Sequence, residues 1–423
     1  MTARVRARYD IETTLDPADA AAVIAGEQSA GTFTRTALES DELRERFSAR
    51  VTSITELPAS GRPPLPGADG DWSHARRALI DIEFPLHNFG PSIPNLLSAI
   101  AGNLWEIRQV GAIKLIDLDL PDDFSTVYPG PAFGVGGTRE LTQRPDGPLL
   151  GTIIKPSIGL SAHALSGLVA DLGLAGIDFI KDDELQANSP AMPLSVRVPA
   201  VMRALDEVER RTGRRPMYAV NITDDIAQLR ANHDLVRDHG GTCVMASINS
   251  IGLAGVAYLR SFSELPIHAH RNGFGAISRS PQLGFAFRPY QKLARLAGAD
   301  HMHTNGISNK FFESDAEVLA AIDDVRTPLF GGYETLPVLS SGQTPGLAAA
   351  TYAAVGTTDL LVLAGGGIHG HPQGSAAGVR ALREAWAAAA AGEPLDERAA
   401  RVPELAVALD RFGWRTDVPE RAG

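Results

Sequence analysis

The sequence predicts an α/β protein: a (β/α)8 TIM barrel over residues 133–423, preceded by a smaller amino-terminal α+β domain of ferredoxin-like type over residues 1–132. Two observations carry this. The carboxyl-terminal part repeats an apolar strand, a loop and a helix-length amphipathic stretch, and near-continuous apolar strands separated by helices indicate buried parallel strands. The strands also end in polar residues, and the carboxyl ends of barrel strands are where such folds assemble their chemistry.

Residues 5–9, VRARY, alternate apolar and polar as a half-buried strand does, and LDPADAAAVIAGE (15–27) reads as a helix capped by Asp16. Strand-like stretches follow at 49–57, 75–86 and 112–121, with a Pro/Gly-rich loop at 58–71 and a helix expected over 95–109. The punctuation YPGPAFGVGG at 128–137 marks the domain boundary.

Beyond it, candidate strands are LLGTIIKP (149–156), GIDFIKDD (176–183), MYAVNIT (217–223), TCVMASIN (242–249), PIHAHR (266–271), DHMHTN (300–305), TLPVLSSG (335–342) and LLVLAGGG (360–367). These supply the eight units a barrel needs; a doubly wound open sheet is the alternative arrangement. The stretch AWAAAAAGEP (385–394) is a strong helix former.

The 423 residues are 44% hydrophobic and 21% charged, ordinary for a soluble protein of two domains. A net charge of −11 argues against a nucleic-acid partner, because phosphate backbones are bound through clustered Lys and Arg. The single cysteine, Cys243, lies in an apolar run and suits a reducing compartment. With neither a leader-like apolar stretch nor an apolar run of ~20 residues, the protein is expected in the cytoplasm, without membrane contact.

The sharpest motif is FIKDDE (179–184), one lysine and three carboxylates directly after an apolar run. Strand alternation sends Lys181 and Asp183 to the same side, with Glu184 beginning the loop. Carboxylate oxygens suit Mg²⁺, yet an ammonium beside them repels the ion. Either Lys181 forms a salt bridge with a neighbouring aspartate, or it loses its charge by reacting with CO₂ to give a carbamate that is itself an oxygen ligand.

AGIDFIKDDE (175–184) resembles the activation motif of the RuBisCO large subunit, and the likeness runs over essentially the whole chain, with the motifs in the family's order. The resemblance implies that Lys181 is the carbamylated lysine, that Asp183 and Glu184 complete the Mg²⁺ site, and that Lys155 of TIIKPSIGL is the acid/base lysine. AHR (269–271) would supply His270 and Arg271, DHMH (300–303) His303, and SNKFFE (308–313) the lid-loop Lys310.

GEQSAGTFT (26–34) looks like the segment that crosses to a neighbouring subunit, with Glu27 and Thr32, and GNLWE (102–106) supplies Asn103. A head-to-tail homodimer with shared sites is thereby implied. Arg271, His303 and Ser340 would hold one end of a phosphorylated substrate, and the backbone amides of Gly342, Gly365 and Gly366 the other.

The family's KPK motif here reads Lys155-Pro156-Ser157, its SGG reads Ser340-Ser341-Gly342, its lid-loop glycine is Asn309, and Phe33 stands where a tryptophan is usual. Loss of the second KPK lysine points away from CO₂ fixation and toward a RuBisCO-like, form IV protein. The methylthiopentose phosphate enolases and isomerases place a base lysine where this chain has Asn103, and an amide cannot abstract a proton.

The branch that remains resembles decarboxylases of 3-oxo-isoapionate 4-phosphate, which would work through an enediolate on Mg²⁺. Transcarboxylation with hydrolysis of the same substrate and the methionine-salvage reactions are the alternatives, with a non-catalytic sugar-phosphate binder last.

Overall fold

A computed structural model describes residues 3–31 and 36–421. The chain divides into two units, Met1–Pro129 with Gly273–Leu296, and Gly130–Asn272 with Ala297–Gly423.

In the first unit, β1 (Arg4–Thr13), β2 (Arg50–Leu57), β3 (Arg76–Pro85) and β4 (Val110–Asp119) are antiparallel neighbours, with β1 between β3 and β4. The alternation of β1 sets its faces: Val5, Ala7, Tyr9 and Ile11 are buried, whereas Arg6 and Arg8 reach across to Asp119 and Asp81 on adjacent strands. Helix α1 (Pro17–Glu27) starts where Asp16 accepts the Ala18 N–H at 2.9 Å.

The helix expected over 95–109 is interrupted. It runs Ile93–Ile100 and resumes as a short 3₁₀ turn, Asn103–Glu106. Gly102 lies in the break, so close to the preceding turn that a Cβ there would meet Ser98 O at 2.5 Å.

The second unit is a closed barrel of eight parallel strands. Its first five are β5 (Leu149–Ile153), β6 (Phe179–Lys181), β7 (Met217–Asn221), β8 (Cys243–Ser247) and β9 (Ile267–His270). The next strand, β10 (Leu283–Phe285), is not part of the barrel; it pairs in parallel with β4 and makes the first sheet five-stranded. β11 (His301–His303), β12 (Leu336–Leu339) and β13 (Leu361–Leu363) then complete the circle, β13 pairing with β5 and β11 with β9.

All eight expected strands are present, each shorter than its apolar run. Alternation divides their side chains: Leu149, Phe179, Met217, Met245, Val338 and Leu363 pack together in one cluster, while Leu150, Ile180, Tyr218, Val244, Leu339 and Val362 join the larger core with the surrounding helices. The Ala-rich stretch lies in the helix Ser375–Ala391. Among the described residues, no helix is long and apolar enough to cross a membrane.

Candidate active site at the carboxyl end of the barrel

Lys181 is the last residue of β6, on the same face as Phe179, and is fully buried. Its Nζ donates to Asp182 O at 2.8 Å and lies 3.7 Å from Glu184 Oε2. Burial lowers the Lys181 pKa below the ordinary lysine value, although the charges of Glu184, Asp183 and Asp182 act the other way. Lys155, two residues past β5, donates from Nζ to Asp183 Oδ2 at 2.6 Å and to Ser157 Oγ at 2.9 Å. Burial raises the Asp183 carboxyl pKa, but the bonds from Lys155 and the Leu185 N–H outweigh it and leave it below the usual range.

His270, at the end of β9, brings Nε2 to 3.6 Å from Glu184 Oε2. Burial, followed by the charge of Lys181, lowers its pKa to about 4. Asn221, at the end of β7, donates from Nδ2 to the carbonyls of Asp183 and Glu184, both at 3.2 Å, and so pins the turn that aims the two carboxylates.

Among the described residues, no three His, Cys, Asp or Glu side chains are arranged to hold a metal ion. Asp183 and Glu184 offer two carboxylates, so an oxygen-ligated cation there needs a third anionic donor. The side chain beside both is Lys181, buried in the condition that favours its neutral form.

A second group surrounds β11 and β12. Arg271 meets Glu313 through two bonds, Nη1 to Oε1 at 2.9 Å and Nη2 to Oε2 at 2.5 Å, and both side chains are 8% exposed. Asn305 also donates to Glu313, and Ser341 Oγ donates to Asn305 Oδ1 at 2.7 Å. His303 Nδ1 lies 3.1 Å from Ser340 Oγ. Asn305, Ser308 and Ser341 take left-handed backbone with φ of 62°, 53° and 67°, a strained conformation without glycine and one that gathers at functional sites.

Lys155, Lys181, Asp183, Glu184 and His270 are therefore one contiguous cluster, and Arg271, His303 and Ser340 stand on the neighbouring strands. Gly365 borders Lys155, whose Cε would lie 3.8 Å from a Cβ at that glycine, and Gly342 borders the 308–310 loop. Gly366 begins the short helix Gly366–His369. Lys310 is exposed, with Nζ over the Phe311 ring at 5.3 Å, and does not join the cluster. Glu27 and Asn103 are exposed residues of the first unit. Thr32 lies outside the described residues.

Sequence reasoning named Ser157 only as the residue that replaces a lysine, not as a partner of Lys155, and did not single out Glu313 or Arg197. Glu313 follows Lys310 by three residues, so proximity to a motif was the available signal. Arg197 had none: it sits inside the helix Leu194–Thr212 and reaches Asp182 only through the fold.

Residues 134–412 match the catalytic domain of the ribulose bisphosphate carboxylase large chain, and residues 5–124 match its N-terminal domain. The chain belongs to the RuBisCO large-chain family, as a RuBisCO-like member of the form IV type. Within the family it is 51% identical over 411 residues to a 3-oxo-isoapionate-4-phosphate transcarboxylase/hydrolase of Xanthobacter autotrophicus, covering 97% of this chain and 99% of that one. It is 42% identical over 415 residues to a 3-oxo-isoapionate-4-phosphate decarboxylase of Rhizobium etli, covering 97% and 98%. The crystal structure of a rubisco-like protein from Burkholderia fungorum superposes with a TM-score of 0.90 at 46% identity, covering 97% of this chain and all of that one.

Proposed function

We propose that the chain is an enzyme that breaks the carbon–carbon bond to the carboxylate of a phosphorylated 3-oxo sugar acid of the 3-oxo-isoapionate 4-phosphate type. The observation that carries this reading is the Lys155 ammonium held 2.6 Å from Asp183 inside the cluster of Lys181, Glu184 and His270. A 3-oxo acid releases its carboxyl group when the electron pair left behind can spread onto the ketone oxygen and a proton donor then quenches the carbon. Lys155 is the proton donor, and the Asp183 contact holds its Nζ within the cluster.

The donor set fits Mg²⁺: Asp183 and Glu184 supply hard oxygen ligands, and Lys181, whose burial disfavours the ammonium, is the amine placed to add CO₂ and give a third. When bound, the ion supplies Lewis-acid stabilisation of negative charge on the substrate's oxygens. Arg271, His303 and Ser340 face the phosphate at one end, and the amides of Gly342, Gly365 and Gly366 the other end. Lys310 meets the substrate when its loop closes and excludes water. Glu27, Thr32 and Asn103 complete the site of a neighbouring subunit in a head-to-tail homodimer.

The fate of the carboxyl group divides two readings. The sequence alone favours release as CO₂. The 51% identity to a transcarboxylase/hydrolase, against 42% to a decarboxylase, favours transfer within the substrate followed by hydrolysis, which we rank first. The test is incubation of the enzyme, pretreated with Mg²⁺ and bicarbonate, with 3-oxo-isoapionate 4-phosphate. Phosphoglycerate with glycolate supports transfer and hydrolysis, CO₂ with a phosphorylated four-carbon ketose supports decarboxylation, and no turnover rejects the substrate class.

A further inference from the structure

Two histidines at the heart of the barrel take no part in the proposed reaction. His268 and His301, on β9 and β11, are fully buried and pack against the Phe179 ring, with centroids 5.2 and 5.8 Å away. They belong to a continuous chain of contacts. Thr138, in the helix Gly134–Thr142, places Oγ1 2.9 Å from His301 Nε2, and His301 Nδ1 lies 3.3 Å from His268 Nδ1. His268 Nε2 lies 2.8 Å from His303 Nε2, and His303 Nδ1 lies 3.1 Å from Ser340 Oγ.

The direction of each bond follows from one end. The Thr138 hydroxyl donates its only proton to Gly134 O, one helical turn back, so toward His301 its oxygen can only accept. His301 therefore carries its proton on Nε2. A neutral imidazole has one donor and one acceptor, so His301 Nδ1 accepts and His268 Nδ1–H donates. His268 Nε2 then accepts from His303 Nε2–H, which leaves His303 Nδ1 as the acceptor of the Ser340 hydroxyl proton. Neutrality is what the burial of these rings imposes; His301 is driven down to about 3.

We infer that Thr138, His301 and His268 are positioning residues that hold His303 in the Nε2–H tautomer and turn the Ser340 hydroxyl proton inward, away from the ligand. Both ring nitrogens of His303 are then engaged, and Nδ1 has no proton to give to a phosphate oxygen. The opposite polarity needs Thr138 to withdraw its proton from Gly134 O, which sets two oxygen lone pairs against each other. Thr138, remote from the ligand, thus biases which hydrogen bonds His303 and Ser340 offer it. The tautomer assignment stands on hydrogen-bond geometry; its effect on ligand binding rests on the proposed reading of His303 and Ser340.

The test is long-range ¹H–¹⁵N correlation of the imidazoles in the full-length, ¹⁵N-labelled protein at neutral pH. Expected are Nε2–H tautomers for His301 and His303 and an Nδ1–H tautomer for His268. A His268 protonated on Nε2, or a His303 protonated on Nδ1, overturns the inference whatever the substrate proves to be. Thr138→Val removes the acceptor that sets the polarity, so the three histidines are expected to show mixed tautomers and the inhibition constant for inorganic phosphate to fall several-fold with little change in kcat. Thr138→Ser keeps the hydroxyl and is expected to restore the wild-type spectrum and inhibition; equal behaviour of the two variants counts against the chain. Failure to turn over 3-oxo-isoapionate 4-phosphate removes the substrate reading and leaves the spectra to decide the tautomers.

Discussion

Asp182 and Asp183 are adjacent in the chain and hold opposite partners. The Asp183 carboxylate takes the Lys155 ammonium at the barrel mouth, 2.6 Å away. The Asp182 carboxylate points back into the wall, where Arg197 Nε, the Tyr218 hydroxyl and the Asn221 N–H meet it at 3.2, 2.6 and 2.8 Å. One strand end thus separates a carboxylate paired at the barrel mouth from a carboxylate held in the wall, and substitutions at the two should fail in different ways.

Arg197 and Asp182 are each 1% exposed, so removing one partner strands a buried charge. Arg197→Met is expected to cost about 3–5 kcal/mol of folding stability. Urea unfolding followed by circular dichroism checks this; a loss below ~1 kcal/mol would mean that the pair is solvated or its charge dispersed.

Lys155→Met keeps most of the side chain's length and removes the ammonium. Because Lys155 is half-exposed and its partner Asp183 stays bonded to the Leu185 N–H, the fold should survive. The expected change is a fall in kcat of roughly 10²–10⁴ at nearly unchanged unfolding midpoint. A kcat within a few-fold of wild type would take the acid/base role away from Lys155.

Chelation with EDTA is expected to abolish turnover, and Mg²⁺ with bicarbonate to restore it over minutes rather than at mixing, as a slow carbamate step requires. Lys181→Ala should not recover under the same treatment. Full activity in EDTA, or instant recovery with Mg²⁺ in CO₂-free buffer, would exclude the carbamylated site.

The barrel was legible because its strands are apolar runs that stop abruptly at polar residues. The same rule found Lys155, Lys181, His270 and Ser340, since each sits within two residues of a strand end. It did not find Glu313 as the partner of Arg271, because a loop residue's direction is set by tertiary contacts and not by a period. It placed His301 and His303 together at a strand end but could not name the partners of His301, which are His268 and Phe179 from other strands. Nor could it assign β10, three residues whose partner strand β4 is far away in the chain. The helix expected over 95–109 is interrupted for a local reason that periodicity does not carry: the close approach of Gly102 to the Ser98 carbonyl.

The buried histidines make the fold acid-labile. His268, His301 and His303 all lie below the ordinary histidine range because burial disfavours the imidazolium; His301 reaches about 3. The folded pKa is depressed, so the unfolded chain takes up protons first. Their contribution is complete above the unfolded value near 6.5 and is lost as pH falls from there toward the folded values. At pH 5 His301 alone is expected to cost roughly 2 kcal/mol relative to pH 8, with His268 and His303 acting in the same direction. Denaturant titrations at the two pH values check this, and His301→Asn should flatten the dependence; a wild-type stability equal at pH 8 and pH 5 would contradict neutral burial.

If Arg271 holds the substrate phosphate as proposed, Glu313 and that phosphate compete for the same guanidinium. Both Nη groups of Arg271 already face the two Glu313 oxygens, so an anion arriving there meets a neutralised arginine and a fixed carboxylate beside it. Glu313→Gln keeps the shape and one acceptor oxygen but removes the repulsion. Inorganic phosphate, a probe without the rest of the substrate, should therefore inhibit the variant at several-fold lower concentration. The gain should be largest at low ionic strength and shrink with added salt, because it is the removal of a like charge rather than a new contact. If Glu313 instead holds Arg271 in its binding pose, the inhibition constant will rise. Titrating phosphate at two salt concentrations distinguishes these outcomes, since a lost pose weakens binding at both while a removed charge strengthens it most in dilute buffer.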